Sequence, residues 1–419
     1  MQKSKWTPER VRSGIRWRYR KLRRITQHRI GAVLYRNIFE DYEQLYRLAE
    51  GWFDFGVAAD SERLGNNLLA EIWNPKKEFL ISRCFNSVSC ENSFKPVFSF
   101  NPESPSLFSI NPAAVDVLSF AKKNNLKIRI HVLVWHKNID HRIFCRNYQC
   151  IYEDEAGISA RHILAADCLV SRDELLNRLE RYIHGAVEYV YANGYAANVS
   201  GWDVVNEAVS NRSGEFMRNS YWLQMIGPEY VYYSFRYARD AVTRCAAAYA
   251  DQYPAEQRPM LAAKLFYNDN WEWLPGKREK IIRLLTEERF CTDEGTGTLL
   301  GDGLVDGIGM QCHISTALDP EVYMDALREY KQIFGLVHIT ELDVVPADSG
   351  ICTPAELYEA MFRHFREASE LGKGPASVTI WGLTDDRSWL TNRHCSLLFD
   401  AACRRKEEFA AVVRALTKR

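Results

Sequence analysis

Eight short apolar segments alternate with stretches of helical periodicity and predict an α/β fold, a (β/α)8 TIM barrel in a single domain. Polar side chains follow almost every segment, as they do at the C-terminal face of such barrels. The length of 419 residues fits one barrel with extensions. The predicted strands are residues 53–59, 85–91, 127–135, 199–207, 261–269, 306–313, 336–343 and 377–385.

The stretches between the predicted strands carry apolar residues at helical spacing. Residues 173–191 repeat leucine, isoleucine, tyrosine and valine at intervals of three and four, which predicts an amphipathic helix. A second helix is predicted at residues 355–371, because Thr353 and Pro354 suit the N-cap and the first turn. The connection at residues 140–169 is long for a barrel, and we expect it to overhang the barrel mouth.

Charge divides the chain into two parts. Residues 1–36 hold twelve Lys and Arg residues and one Glu, a local charge of +11 in a chain of zero formal net charge. We therefore predict a basic, helical N-terminal extension at residues 1–40 and a catalytic barrel domain at residues 41–419. A solvated charged face packed on the barrel is the simpler interpretation of this arm. Docking on an anionic partner is the alternative, and binding that weakens steeply with salt would favour it.

The composition argues against several classes of protein. Basic and acidic residues are equal at 54 each, so no nucleic-acid partner is expected. No run approaches the roughly 20 apolar residues that cross a bilayer, and the basic N-terminal stretch lacks the apolar centre of a signal peptide. The 11 cysteines are odd in number and form no CxxC pair, which indicates reduced thiols. Together these features predict a cytoplasmic protein.

Two predicted strands end an apolar, β-branched run with a carboxylate, Glu207 in one and Glu341 in the other. The C-terminal strand ends of a parallel barrel share one catalytic face, so the two side chains are expected to meet. Cleavage of a glycosidic bond needs one carboxyl group that gives a proton and one ionised carboxylate that attacks the anomeric carbon. The pair therefore predicts a glycosidase. Glu207 follows Val204 and Val205 beside a second carboxylate, so we expect a raised pKa and the role of acid.

The residues around Glu341 fit the role of nucleophile. Side chains two apart on a strand share a face, so Gln311 and His313 on one strand and Glu341 and Asp343 on another are expected to converge. His313 between the two carboxylates would hold Glu341 ionised. A histidine with a purely structural role is the alternative.

The remaining candidates concern the sugar. Asn206 precedes Glu207, so alternation predicts that their side chains diverge, with Asn206 reaching the sugar hydroxyls. Trp135, Trp381 and Trp389 lie near strand ends, where an indole could cover the apolar face of a pyranose ring.

A metal centre is the chemical rival, because histidines and aspartates also occur at strand ends. The sequence has no HxH or HExxH spacing, so no metal site is predicted. It also has no glycine-rich phosphate loop or dinucleotide fingerprint after a strand, and no cofactor is predicted.

Taken together, these segments resemble the glycoside hydrolase family 10 xylanases, which are retaining (β/α)8 enzymes. The resemblance runs from about residue 53 to the C-terminus. Its motifs are residues 85–92 with Lys95, 131–136, 169–172, 202–207, 267–269, 311–313, 339–343, and 381–382 leading to Ser388 and Trp389.

The resemblance implies a retaining endo-1,4-β-xylanase that cuts xylan or xylooligosaccharides by double displacement. It implies Glu207 as the general acid/base and Glu341 as the nucleophile, supported by His313 and Asp343. It further implies a set of substrate-binding residues, and His313 belongs to this set as well as supporting the nucleophile. The others are His131, Trp135, Asn206, Gln311 and Trp381 at the cleavage subsite, and Glu91, Asn92, Lys95 and Trp389 on the glycone side.

The sequence departs from the family pattern on the leaving-group side. The family commonly reads Tyr-Asn-Asp-Tyr-Asn after the fifth strand, whereas here Asn270 and Trp271 follow Asp269. Asn138 and Pro96 likewise stand where Gln and Trp are frequent. We therefore expect weak leaving-group binding and a preference for short oligosaccharides. A carbohydrate-binding barrel with little turnover, and a transglycosylating or oligosaccharide-trimming relative, are the alternative functions.

Overall fold

A closed parallel barrel forms the centre of the molecule. The computed structural model describes residues 35, 38–64, 70–153, 163–292, 295–390 and 396–417. The described strands in chain order are β1 (Asp54–Ala59), β2 (Ser87–Cys90), β3 (Lys127–Ile130), β4 (Val134–Trp135), β5 (Val199–Asn206), β6 (Lys264–Asp269), β7 (Phe290–Thr292), β8 (Gly295–Gly297), β9 (Gly307–Met310), β10 (His313–Ser315), β11 (Val337–Val345) and β12 (Ser377–Ile380).

Eight of these strands build the barrel in the order β1-β2-β3-β5-β6-β9-β11-β12, and every neighbouring pair is parallel. The last strand pairs with the first, with Ser377 opposite Asp54, so the sheet has no free edge. Each barrel strand coincides with one of the eight predicted segments, although β11 runs two residues past the predicted end at 343. The predicted (β/α)8 barrel is therefore confirmed.

Two segments predicted as continuous strands are interrupted at the barrel mouth. The segment at 127–135 divides into β3 and β4, and the segment at 306–313 divides between β9 and β10. In the second case Cys312 has a φ of 62°, a left-handed conformation that cannot continue a strand. The two breaks lie next to His131 and between Gln311 and His313, which are among the predicted site residues.

Helices surround the barrel, and prolines begin several of them. The described α-helices are α1 (Leu45–Leu48), α2 (Pro75–Cys84), α3 (Pro96–Ser99), α4 (Pro112–Lys123), α5 (Arg172–Ala192), α6 (Tyr221–Ile226), α7 (Glu229–Ala248), α8 (Pro275–Thr286), α9 (Pro320–Phe334), α10 (Pro354–Glu370) and α11 (Glu407–Thr417). The two predicted helices correspond to α5 and α10. At the start of α10, Thr353 and Glu356 form a reciprocal capping box, which satisfies backbone donors that the helix leaves open.

A buried polar layer lies inside the barrel beneath the mouth. Arg129 on β3 forms an ion pair with Asp203 on β5, and its Nη1 is 2.8 Å from Nδ1 of His338 on β11. Burial alone would raise the pKa of Asp203, but Arg129 and His131 outweigh it and lower the pKa. Asp203 is therefore ionised and anchors His131 from below.

Two predictions concern residues that lie mainly outside the described ranges. The basic extension predicted at residues 1–40 lies almost wholly outside the described residues, as does the suggestion that it docks on an anionic partner. Among the helices that are described, none combines the length and apolar character needed to cross a bilayer.

Candidate active site

Glu207 stands directly after β5 and turns into the barrel mouth. Its φ is 54°, and its backbone N–H donates to the Asn268 carbonyl at 2.9 Å. Nε2 of Gln311 lies 3.2 Å from Glu207 Oε1 and 3.1 Å from the Asn206 side-chain amide. The expected divergence of Asn206 and Glu207 is therefore wrong: the left-handed turn at Glu207 breaks the alternation, and one amide contacts both side chains.

Glu341 on β11 is held by donors from two neighbouring strands. Nδ2 of Asn268 donates to Glu341 Oε1 at 2.7 Å, and Nε2 of His313 is 3.2 Å from Oε2. The other ring nitrogen of His313 lies 2.9 Å from Asp343 Oδ2. The structure thus brings together His313, Glu341 and Asp343 as the period of the strands suggested.

The charge on His313 follows from this position. Burial would lower the pKa of the imidazole, but Asp343 and Glu341 oppose it and raise the pKa well above the ordinary 6.5. His313 is therefore an imidazolium at neutral pH, with both N–H groups directed at carboxylates. This arrangement stabilises the ionised form of Glu341, the form that can attack an anomeric carbon.

The electrostatic surroundings of Glu207 differ from the expectation. Burial raises the pKa of this carboxyl, but Lys137, Arg218 and His136 outweigh that effect, so the pKa lies below the ordinary 4.5. Arg218 Nη2 is 3.5 Å from Glu207 Oε2, and Arg218 Nε donates to the Glu207 carbonyl at 2.9 Å. The predicted raised pKa is wrong, because local cations dominate over burial.

A second group of predicted residues lies on one side of this centre. Lys95 Nζ donates to Asn92 Oδ1 at 2.8 Å and lies 5.3 Å from the centre of the Trp135 ring. Glu91 is buried, with Arg387 Nη2 at 3.7 Å. Burial, together with the neighbouring carboxylates Asp60 and Glu71, raises the pKa of Glu91 to about 8.

The three tryptophans frame the mouth at different depths. The Trp381 ring is buried 5.4 Å from the His131 ring, and Trp135 lies 6.1 Å from it on the other side. Trp389 is 53% exposed, with its ring 5.0 Å from His313 and its Nε1 donating to Asp343 Oδ2 at 2.8 Å. An exposed indole anchored at one edge leaves a face for a sugar ring.

Sequence reasoning missed several residues that hold the site together. Asn268 contacts both Asn206 and Glu341, and Thr340 Oγ1 donates to Asn268 Oδ1 at 2.7 Å. The position of Asn268 at a predicted strand end was the available signal. Arg218 and Arg387 come from connecting segments, where sequence spacing gives no sign of which strand end they reach.

An open groove of about 910 Å³ continues from Glu207 on the other side of the mouth. Lys137 and Arg218 line it beside the carboxylate, and residues 163–169 of the predicted overhang contribute Ile163 and Leu164. Asn270 and Trp271 come directly after β6. Asn270 accepts a hydrogen bond from Asn211, which lines the groove, and Trp271 is 52% exposed. Within the described ranges, no group of His, Cys, Asp and Glu residues is arranged to hold a metal ion.

Fold and site together place the protein among the (β/α)8 barrels that hold paired carboxylates at the C-terminal mouth, an arrangement suited to glycosidic bonds. The family model of glycosyl hydrolase family 10 matches residues 44–415, and the chain belongs to that family. The family predicted from the sequence is confirmed.

Named relatives agree with this membership. The chain is 32% identical over 364 residues to endo-1,4-beta-xylanase B of Butyrivibrio fibrisolvens, covering 82% of this chain and 50% of that protein. It is 32% identical over 370 residues to endo-1,4-beta-xylanase A of Thermotoga maritima, covering 85% of this chain and 30% of that protein. The chain therefore spans half or less of the length of these two curated relatives.

Solved structures show the same fold. The intracellular xylanase of Thermoanaerobacterium saccharolyticum superposes with a TM-score of 0.69 at 26% identity, covering 89% of this chain and 98% of that one. A psychrophilic family 10 endo-beta-1,4-xylanase superposes with a TM-score of 0.67 at 25% identity, covering 88% and 99% of the two chains.

Proposed function

We propose that the protein is a retaining endo-1,4-β-xylanase, with Glu341 as nucleophile and Glu207 as general acid/base. The observation that carries this assignment is His313, which lies between Asp343 and Glu341 with its pKa raised well above 6.5. A protonated imidazole beside Glu341 gives its carboxylate a charge-assisted hydrogen bond, which suits the attacking group. Family membership and the relatives named as endo-1,4-beta-xylanases support the substrate class.

The two half-reactions require opposite protonation states of Glu207. In the first, Glu341 attacks the anomeric carbon while the Glu207 carboxyl group protonates the departing oxygen. In the second, the Glu207 carboxylate takes a proton from water, which attacks the glycosyl-enzyme. The cations Lys137 and Arg218 favour the carboxylate, so they assist the second half-reaction and shift the first toward acidic pH.

Binding of the glycone is assigned to the polar group beside Trp135. Lys95 and Asn92 present a donor and an amide at the mouth, and Glu91 with its raised pKa can offer a proton to a sugar hydroxyl. Trp135 and Trp381 flank His131 and form the walls of the cleavage subsite. The proposal also gives Gln311 and Asn206, which hydrogen-bond to each other, the contact with the sugar that reacts.

Product stereochemistry and chemical rescue test the assignment. NMR of the first products from a β-linked xylooligosaccharide should show the β-anomer. Azide should rescue Glu341→Ala as an α-glycosyl azide and Glu207→Ala as a β-glycosyl azide, the latter with an aryl xyloside of good leaving group. An α-anomer as first product, or identical behaviour of the two variants, would reject these roles.

We propose further that the natural substrates are short xylooligosaccharides inside the cell. The ten cysteines in the described ranges are free thiols, which suits a reducing compartment, and the Thermoanaerobacterium relative of similar fold is named an intracellular xylanase. A higher rate on xylotetraose than on insoluble xylan, with the protein recovered in the cytoplasmic fraction, is the expected result. Equal efficiency on the polymer would contradict the proposal.

A further inference from the structure

The connection between β4 and α5 carries three cysteines close together. We call its described residues 140–153 and 163–169 the strap. Isolated bridges between Cys145 and Leu169 and between Tyr152 and Leu164 hold its two arms side by side. Sγ of Cys145 lies 2.9 Å from Sγ of Cys150, and Cys168 interacts with the Cys145 thiol from the opposite arm. The three thiols therefore share the base of the strap.

The geometry selects one pair among the three. An S–S bond of about 2.0 Å requires Cys145 and Cys150 to approach by only about 1 Å. Cys168 also interacts with Cys145, but the short sulfur–sulfur contact is the one between Cys145 and Cys150, and the Cys168 thiol donates to the Ile151 carbonyl at 3.6 Å. A metal bound by the three sulfurs is a poorer fit, since the described residues contain no cluster with the arrangement of a metal site.

The two sulfurs also differ in access. Cys150 is partly exposed, whereas Cys145 is buried, and burial raises the pKa of its thiol. Cys150 can therefore meet an oxidant from solvent, and Cys145 can react only with a sulfur already delivered beside it. Buried cysteines of the core such as Cys84 and Cys90 have no exposure and provide internal controls.

The strap also borders the groove next to Glu207. Ile163, Leu164 and Leu169 line that groove, and the Leu164 N–H donates to Tyr221 at 2.7 Å. At the other end, Arg178 of α5 donates to the Cys145 carbonyl at 2.9 Å. A covalent bond between cysteines at the base of the strap is therefore only a few contacts away from the residues that line the groove on the leaving-group side.

We propose that Cys145 and Cys150 form a reversible disulfide that fixes the strap against the leaving-group groove. The oxidant is a small-molecule disulfide such as oxidised glutathione. The Cys150 thiolate attacks one glutathione sulfur, the glutathione S–S bond breaks, and one glutathione leaves as a thiolate that takes up a proton. Cys145 then loses its proton to solvent, attacks Sγ of Cys150 and releases the second glutathione. Two protein thiols are oxidised and one glutathione disulfide is reduced to two thiols.

Mass spectrometry of the full chain tests the chemistry without any reference to turnover. The protein is equilibrated in glutathione buffers of stepped ratio, free thiols are alkylated, and the peptides are mapped. A link between Cys145 and Cys150 that returns to thiols in reduced buffer is expected in the wild type and in Cys168→Ser, but not in Cys150→Ser. A glutathione adduct without the link, a link to Cys168 instead, or complete alkylation of all three thiols would overturn the proposal.

Kinetics test the consequence for the groove, which rests on the proposed function. A strap that is already fixed loses less conformational entropy when substrate binds. Oxidation should therefore lower KM for xylohexaose about threefold in the wild type and in Cys168→Ser. In Cys150→Ser, oxidation should leave KM for xylohexaose unchanged. With an aryl xylobioside, which does not reach the groove, oxidation should leave KM unchanged in every variant. An unchanged KM in the oxidised wild type would overturn the coupling. Absence of turnover in both redox forms would reject the proposed function, while the mass-spectrometric result still decides the disulfide.

Discussion

Glu91 and Glu207 follow two different strands at the barrel mouth, β2 and β5, and are almost equally buried, at 7% and 5% exposed. Their pKa values nevertheless move in opposite directions. Burial with Asp60 and Glu71 nearby raises the pKa of Glu91 to about 8. Burial also acts to raise that of Glu207, but Lys137 and Arg218 lower it. Burial alone therefore does not decide the charge of a carboxyl group here. The charged neighbours do: they favour a protonated Glu91 on the proposed glycone side and an ionised Glu207 on the proposed leaving-group side.

The largest effect is expected from removing a lysine on the glycone side. Lys95→Ala takes a buried ammonium away from Asn92 and Glu91, so kcat/KM on xylotetraose should fall about 100-fold. Lys137→Ala is the matched control on the other side, where the exposed lysine should cost less than about threefold at the pH optimum. Similar losses in the two variants would contradict the division of the mouth into two sides.

Stability as a function of pH sharpens the comparison on the glycone side. The pKa of Glu91 rises from the ordinary 4.5 to about 8 on folding, so the folded state holds a proton that the unfolded chain has lost between these values. Wild-type stability should fall relative to Glu91→Gln as pH rises from about 4.5 to 8, by up to about 5 kcal/mol. Denaturant unfolding of both proteins at several pH values measures this difference. A constant difference across the range would show that Glu91 is ionised throughout.

The pH profile of activity tests the leaving-group side. Lys137 favours the carboxylate of Glu207, so Lys137→Ala should raise its pKa and move the alkaline limb of kcat/KM to higher pH by less than about one unit. Arg212→Ala, which removes a groove arginine paired with Glu215, is the control and should leave the limb in place. A shift toward lower pH in Lys137→Ala would be opposite in sign to this account.

The smallest effect concerns the missing aromatic platform. Asn270→Tyr adds a ring beside the groove and should improve the ratio of kcat/KM on xylohexaose to that on xylotriose by about two- to fivefold. Asn211→Ala breaks the same Asn211–Asn270 hydrogen bond without adding a ring, and it should not improve the ratio. If both variants gave the same gain, loss of the hydrogen bond rather than stacking would explain it.

The sequence predicted the barrel well because its signals are local. Apolar runs of strand length and helical periodicity each report on a few neighbouring residues, and every barrel strand overlaps one of the predicted segments. The grouping of His313, Glu341 and Asp343 followed from the geometry of parallel strands. The Gln311 side chain, expected in the same group, contacts Asn206 and Glu207 instead. Their catalytic roles stay predictions until the kinetic tests are made.

Two features could not be read in this way. Alternation failed at Glu207 because the residue has a positive φ, and nothing in the local pattern marks a left-handed turn at a glutamate. The lowered pKa of Glu207 depends on Arg218, eleven positions further along the chain, whose side chain folds back onto the strand end. Long-range electrostatics of this kind requires the tertiary structure.

The pairing of β1 with β12 has a consequence for how the chain folds. The sheet can close only after Ser377–Ile380 has been synthesised, so β1 waits through almost the whole barrel for one of its two neighbours. Until then its open edge exposes backbone donors and acceptors to other chains. Pairing between such distant segments slows folding, because the loop must close before the contact stabilises it. Yield during expression therefore depends on protecting that edge, and slower synthesis at lower temperature or a chaperone that covers unpaired strands should increase the fraction that reaches the closed form.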